Sequence, residues 1–292
     1  MKSIKAWWWH GEVNLGDVLT PFIIKKLSGV DCKYIGYKWT YVLKYLMGQL
    51  HHHLPIDKRL LIPFYFKEPE YILGVGSILH HESDGKAIAW GSGFLKQSNV
   101  YTGGKAVAVR GEYTAKRLLE LGFPKVEVFG DPALLLPLIY KPNSSKKGGV
   151  AIIPHYSELE KFKELYGKQY DIINMKTDDI EGTINTLCSY SFILSSSLHG
   201  LIISHSYQIP AIWIESEVLA SDSFHFKFRD YFSSVGIDYY EPFHNIDAIF
   251  KKGICKFFNE NRDKYTFTKD LNKIQQDLLR IAPFPVLQKY FE

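Results

Sequence analysis

The sequence predicts an α/β protein built as two Rossmann-like domains that face each other across a cleft, a GT-B-like arrangement. Three observations carry this. Short apolar runs alternate with longer helical patterns, as parallel βαβ units require. The 292 residues exceed what one small core organises. The alternation also halts at "PLIYKPNSSKKGG" (137–149), a Pro-, Ser-, Lys- and Gly-rich linker, and then restarts. The expected division is 1–140, 148–267 and a helical tail at 268–292 that packs back on the first domain.

In the first half, residues 4–9, 71–73, 87–90, 106–109 and 126–129 read as strands. Residues 15–27 and 112–121 read as helices, stopped by Gly29 and Gly122. In the second half the expected strands are 150–153, 171–173, 192–194 and 211–214. The expected helices are 157–166, 178–190, 198–207 and 223–235, and an amphipathic helix is expected within 268–281.

Composition narrows the function. With 46% hydrophobic and 23% charged residues the chain is of the soluble globular type, and a net charge of +4 gives nucleic acid little support as a partner. Aromatics reach 15%, more than a core usually needs, and their flat amphipathic rings suit sugar faces or membrane interfaces. Cys32, Cys188 and Cys255 stand far apart with no metal-ligand spacing, which points to a reducing compartment and to neither disulfides nor a structural zinc. No apolar run approaches the roughly 20 residues of a membrane span. The N-terminus lacks a signal-peptide h-region, so the expected location is cytoplasmic.

In parallel sheets ligands collect beyond the carboxyl ends of strands, and four motifs fall there. "SSSLHG" (195–200) opens a helix whose first N–H groups lack intrahelical partners and attract anions. Ser196 and Ser197 add hydroxyls, Gly200 permits close approach, and His199 beside the anion is suited to acid–base work. The same residues also read as an N-cap with a core histidine. "HGEVNLGDVLTP" (10–21) presents Asn14, Gly16 and Asp17, either as cleft groups with Asp17 as a base or as a tight turn with an Asp cap. "LGVGS" (73–77) places Gly76 and Ser77 after a strand without completing a dinucleotide fingerprint. Arg110 ends the strand of "AVAVRG" (106–111), where its fork suits either bidentate capture of an anion or a pair with a neighbouring acid.

"NLGD", "GVGS", "VRGEYTAKRLLELG", "GDPALLL", "IIPHY" and "SSSLHGLIISHSYQIPAIWI" follow one another in a familiar order. The chain resembles the polysaccharide pyruvyl transferase family, in particular the short bacterial exopolysaccharide ketal-pyruvate transferases, over about residues 4–215. The resemblance implies phosphoenolpyruvate as donor substrate, no further cofactor, and a sugar of a surface polysaccharide or its lipid-linked precursor as acceptor. The product is a pyruvate ketal. The family's Arg-Leu-His-Gly motif falls on Ser197, Leu198, His199 and Gly200, so His199 inherits its catalytic or donor-binding role. Position 197 departs from the pattern with a serine, which shifts the expected anion charge to Arg110. The expected assignment is His199 and Asp17 as catalytic pair and Arg110, Ser196, Ser197, Leu198 and Gly200 on the donor. Asn14, Gly16, Gly76, Ser77 and His155 are expected on the acceptor side, contributed mainly by the first domain. Two other readings remain open: a GT-B glycosyltransferase using a nucleotide sugar, and an inactive glycan-binding relative.

Residues 37–67 hold seven aromatics and five basic residues against one acid, Asp57. This mix suits peripheral contact with the inner membrane face or a lipid-linked glycan, and equally a hairpin or helical pair packed on the first domain.

Overall fold

The computed structural model describes residues 3–9, 11–38, 64–65, 70–80, 85–215 and 222–291. Its strands are β1 (Ile4–Trp7), β2 (Cys32–Tyr34), β3 (Tyr37–Lys38), β4 (Phe64–Tyr65), β5 (Tyr71–Leu73), β6 (Ala87–Trp90), β7 (Lys105–Ala108), β8 (Val150–Ile153), β9 (Asp171–Ile172), β10 (Phe192–Ser195) and β11 (Ala211–Trp213). Its helices are α1 (Leu15–Ser28), α2 (Glu112–Glu120), α3 (Leu136–Ile139), α4 (Leu159–Tyr166), α5 (Ile180–Cys188), α6 (Leu198–Ser206), α7 (Asp222–Val235), α8 (Ile246–Lys252), α9 (Ile254–Glu260) and α10 (Leu271–Arg280).

Two larger sheets result, and every pairing in them is parallel. The first has the order β2-β1-β5-β6-β7 and the second β11-β10-β8-β9. Strands β5, β6, β10 and β11 are apolar and largely buried, as strands covered on both faces are. In the first sheet the chain runs outward from β1 to β2, then returns to the other side of β1 with β5. In the second it runs from β8 to β9, then crosses to β10. The loops after β1 and β5, and those after β8 and β10, therefore diverge at two switch points, where α/β sheets open a crevice.

Three details differ from the sequence reading. Residues 126–129 form a single bridge between Val109 and Phe129 rather than a strand, because Gly130, at φ +142°, turns the chain away. Strand β2 escapes a search for apolar runs since Lys33 stands in the middle of its three residues. Helices α8 and α9 escape it because Gly253, at φ +87°, breaks the helical period between two short segments.

The two halves share a core. Ala6, Leu15 and Trp90 from the first belong to one buried cluster with Ala151, Leu198 and Trp213 from the second. The tail helix α10 packs on the first half: the Trp90 indole donates to the Leu278 carbonyl, and the Gln275 amide to that of Leu134. Most of residues 37–67 lies outside the described residues; only β3 and β4 are seen, paired in parallel.

Candidate functional site

A cavity of about 490 Å³ lies at the two switch points. The loops after β1 and β5 supply Trp9, Asn14, Gly76 and Ser77, and the first turn of α1 adds Asp17. From the other side the loop after β8 supplies His155 and Tyr156, and that after β10 supplies Ser196, Ser197, Leu198 and His199. Glu215 follows β11, and Lys227 comes from α7. Motifs up to 185 residues apart, counted from Asn14 to His199, thus meet in one place because parallel strands all deliver their ends to the same edge.

The opening of α6 explains the chemistry available there. Ser197 is the N-cap, its backbone extended (φ −94°, ψ 127°) and its Oγ accepting from the Gly200 N–H at 3.4 Å. The Leu198 and His199 N–H groups then remain at the positive end of the helix, facing the cavity edge. Ser196 has a different task. Its Oγ donates to the buried Glu158 carboxylate at 3.0 Å and accepts from the His155 N–H at 2.8 Å, tying the β8 and β10 loops together. The Ser195 hydroxyl is similarly enclosed by the Ile153 and Ser197 carbonyls.

Two expected donor contacts sit elsewhere. Gly200 does not line the cavity; a methyl there would overlap Ser195 Oγ and crowd Ile153, so the glycine serves close packing of α6 on β8 and β10. Arg110 is fully buried behind the cavity. Its Nε donates to Asp230 at 3.0 Å, Nη1 to Ser77 Oγ at 2.6 Å and Nη2 to the Phe94 carbonyl at 2.7 Å. Three of its five N–H donors, one on each nitrogen, are held by the protein, and Arg110 does not itself line the cavity, which Ser77 reaches. Among the described residues the cation at the cavity wall is Lys227, which sequence reasoning missed: α7 follows the last strand by several residues, and no motif marks it. Burial and the Arg110 guanidinium pull Lys227 down to about 8, against the opposing effect of Glu215.

His199 has an unusual environment. Gly16 lies against its ring, and any β-carbon there would overlap the imidazole, so the absence of a side chain at 16 is what seats the histidine. Its Nε2 is buried, has no hydrogen-bond partner among the described residues, and faces Asp131 Oδ2 at 4.0 Å. Asp131 Oδ2 is equally buried and unpartnered, while Oδ1 accepts from the Ala133 N–H at 2.9 Å. Burial, with Arg110 and Lys227 nearby, pushes His199 down to about 3. Burial pushes Asp131 up to about 7. Asp131 belongs to "GDPALLL", a motif noticed only for its order in the chain; its chemical signal was a buried aspartate at the mouth of a tight turn.

The remaining residues complete a titratable lining. Asn14 caps α1, its Oδ1 accepting from the Gly16 N–H at 3.2 Å. Asp17 is pushed up to about 7 by burial. Gly76 adopts φ +117°, a conformation that favours glycine, and turns the β5 loop so that its carbonyl accepts from Ser92 Oγ and the Gly93 N–H. The His155 Nδ1 pairs with Ser157 Oγ at 2.8 Å, and burial with Lys227 nearby lowers the ring to about 4. Glu215, raised by burial, bonds His225 Nε2 at 2.8 Å, and His225 Nδ1 faces the exposed Glu241 at 3.6 Å. Trp9 and Tyr156 line the same cavity from opposite halves while remaining 43% and 38% exposed.

Residues 14–217 match the family model described as polysaccharide pyruvyl transferase. An uncharacterized protein of Acanthamoeba polyphaga mimivirus is 34% identical over 172 residues, spanning 56% of this chain and 60% of that protein. The aligned stretch thus covers less than two thirds of that relative's length.

Proposed function

The chain belongs to the polysaccharide pyruvyl transferase family, and we propose that it transfers the pyruvyl group of phosphoenolpyruvate onto two hydroxyls of one sugar, forming a ketal and releasing phosphate. The observation that carries this reading is the meeting, in one cavity, of an anion-favouring helix end, Lys227, and several acids and imidazoles with displaced proton affinities. The two parallel sheets are read as a GT-B-like pair of Rossmann-like units, divided near 140–148, with donor on the second half and acceptor on the first. The acceptor belongs to a surface polysaccharide or its lipid-linked precursor.

The chemistry assigns tasks to residues. The donor's phosphate and carboxylate carry charge that the Leu198 and His199 N–H groups and the Lys227 ammonium offset. The methylene carbon takes a proton to become a methyl group, one hydroxyl attacks the adjacent carbon, and a second displaces phosphate. Of the two hydroxyl protons, one replaces that given to the methyl carbon and the other leaves on phosphate. His199 serves the carbon, and Asp17 and Glu215 are placed to accept from hydroxyls. The half-exposed rings of Trp9 and Tyr156 offer flat faces to a sugar.

Among the described residues, no helix is long and apolar enough to cross a membrane. Residues 37–67 are proposed to touch an anionic membrane surface or lipid-linked acceptor. Removing the charges of Lys38, Lys44, Lys58 and Arg59 should then reduce pelleting with anionic liposomes, and equal pelleting would remove this part of the reading. Calorimetry with phosphoenolpyruvate, UDP-hexoses and CMP-sialic acid tests the donor. Binding of phosphoenolpyruvate alone, weakened at least tenfold by Lys227→Ala, is expected; binding of a nucleotide sugar instead would make the chain a glycosyltransferase.

A further inference from the structure

Burial, with Arg110 and Lys227 nearby, holds the proton affinity of His199 well below that of a free histidine and favours the neutral ring at neutral pH. The structure supplies a proton route for a neutral ring. Two buried polar atoms that lack a partner among the described residues, Nε2 of His199 and Oδ2 of Asp131, face each other across 4.0 Å. Unpartnered buried polar atoms are costly and rare, and a facing pair of them demands an explanation. Nε2 is enclosed with Asp131, and Nδ1 packs on the Gly16 side of a ring that lines the cavity, so Nδ1 is the nitrogen left for exchange with a ligand there.

We propose that Asp131 is the proton reservoir of His199: a proton on Oδ2 fixes the neutral imidazole as its Nδ1–H form, and loss of that proton converts the ring to its Nε2–H form. The proposal rests on the pyruvyl-transfer reading for its substrate, but the tautomer switch is a property of the protein alone. Burial favours two neutral partners over an ion pair; Arg110 and Lys227 oppose a charged ring, while at Asp131 Arg110 and Asp230 act in opposite directions. Arg110, Asp230, Lys227 and Tyr231 lie around the pair from the end of β7 and from α7, and Asp17 faces the same cavity from α1. The raised affinity of Asp131, to about 7, places the switch near neutral pH.

The proton inventory balances without a charged imidazole. In the donor step the Nδ1–H bond breaks and a C–H bond forms at the methylene carbon, using the electron pair of the enol double bond. The Oδ2–H bond breaks as an Nε2–H bond forms, leaving a neutral ring and an Asp131 carboxylate. In the second step Nδ1 accepts the proton of the hydroxyl that displaces phosphate, and Nε2 returns its proton to Oδ2. Asp17 or Glu215 takes the first hydroxyl's proton and passes it to the departing phosphate. One residue pair is thus acid first and base afterwards. Asp131 never touches substrate; it acts through the ring.

The test is ¹⁵N correlation spectroscopy of histidine-labelled protein, with His199 assigned by the signal missing in His199→Gln. In the wild type the resonance should change from the Nδ1–H to the Nε2–H pattern as pH rises through about 7, without passing through the doubly protonated pattern. In Asp131→Asn, which keeps the Oδ1 acceptor for the Ala133 N–H, the tautomer should be independent of pH between 5 and 9. In turnover the same variant should lose about 10- to 100-fold in kcat with KM for phosphoenolpyruvate within threefold. An imidazolium that titrates near 6–7 in the wild type, or a tautomer change that survives Asp131→Asn, would overturn the proposal. Because the spectra need no substrate, absence of pyruvyl transfer would reject the functional reading while leaving the switch standing. The wild-type titration decides the matter even where the variant folds poorly.

Discussion

Two buried acid–base pairs join the halves of this molecule, and they are built in opposite ways. In one, Arg110 at the end of β7 meets Asp230 of α7. Both side chains are fully buried, and Thr114 adds two more hydrogen bonds to the carboxylate, from its N–H and its hydroxyl, each at 2.7 Å. In the other, Asp131 beside the 3-10 turn Pro132–Leu135 meets His199 at the start of α6, with one polar atom on each side left unpartnered. A buried pair whose charges bond each other and their neighbours is held in one geometry. An unsaturated pair retains capacity for a proton and sits at the wall of the cavity. The contrast sets a strand-end arginine bonded across the two halves behind the cavity against a histidine on the cavity wall.

The largest effect that can break this contrast is on Arg110. Arg110→Ala strands the Asp230 carboxylate in the interior, which typically costs about 3–5 kcal/mol. Denaturant unfolding should show a loss of that order. A folded, equally stable variant with weakened phosphoenolpyruvate binding would return Arg110 to the donor site. His199→Ala should do the reverse, lowering turnover by about 10²–10⁴-fold while the unfolding midpoint moves far less. Turnover within a few-fold of wild type at saturating donor would make the histidine structural.

Gly16→Ala sharpens the comparison from a third position. A methyl group there must displace the imidazole, and a misplacement on the order of 1 Å is worth about 10²-fold in rate. Kinetics should therefore show a fall in kcat comparable to part of the His199 effect; an unchanged kcat would mean that the ring's seat on Gly16 is immaterial.

The smallest effect concerns stability against pH. Burial pushes the Asp17 carboxyl up to about 7 in the fold, from the ordinary carboxylate value of 3.8. A raised acid favours the folded state fully below its unfolded pKa, and that advantage is lost as pH rises through about 7. Asp17→Asn should make stability less dependent on pH between about 4 and 7 and raise it at pH 8, by roughly 1–3 kcal/mol in this partly open cavity. An identical pH profile in the variant would place Asp17 in water.

The sequence made the strand ends legible, since buried parallel strands are continuous apolar runs and their following loops carry polar and glycine-rich motifs. Asn14, Asp17, Gly76, Ser77, His155, Ser196, Ser197, Leu198 and His199 all reach the cavity for that reason. Periodicity cannot say which polar atoms another element has already claimed. Arg110 looked available because Asp230 lies 120 residues away, on a helix with no motif. Gly200 looked like a ligand approach because the Ser195 hydroxyl beside it is not visible in a linear pattern. Lys227, Glu215 and Asp131 were missed for the converse reason: each acquires its character only from what surrounds it after folding.

The central claim is that an acid in this cavity protonates the methylene carbon of phosphoenolpyruvate during sugar ketal formation. Turnover in deuterated water with phosphoenolpyruvate and a panel of saccharide acceptors, followed by mass and NMR analysis of the product, tests it most directly. The account predicts release of one phosphate per ketal and one solvent deuterium in each ketal methyl group, with product formation falling in parallel in His199→Ala. A ketal whose methyl group carries no solvent deuterium, or phosphoenolpyruvate left intact while a nucleotide sugar is consumed, would contradict it.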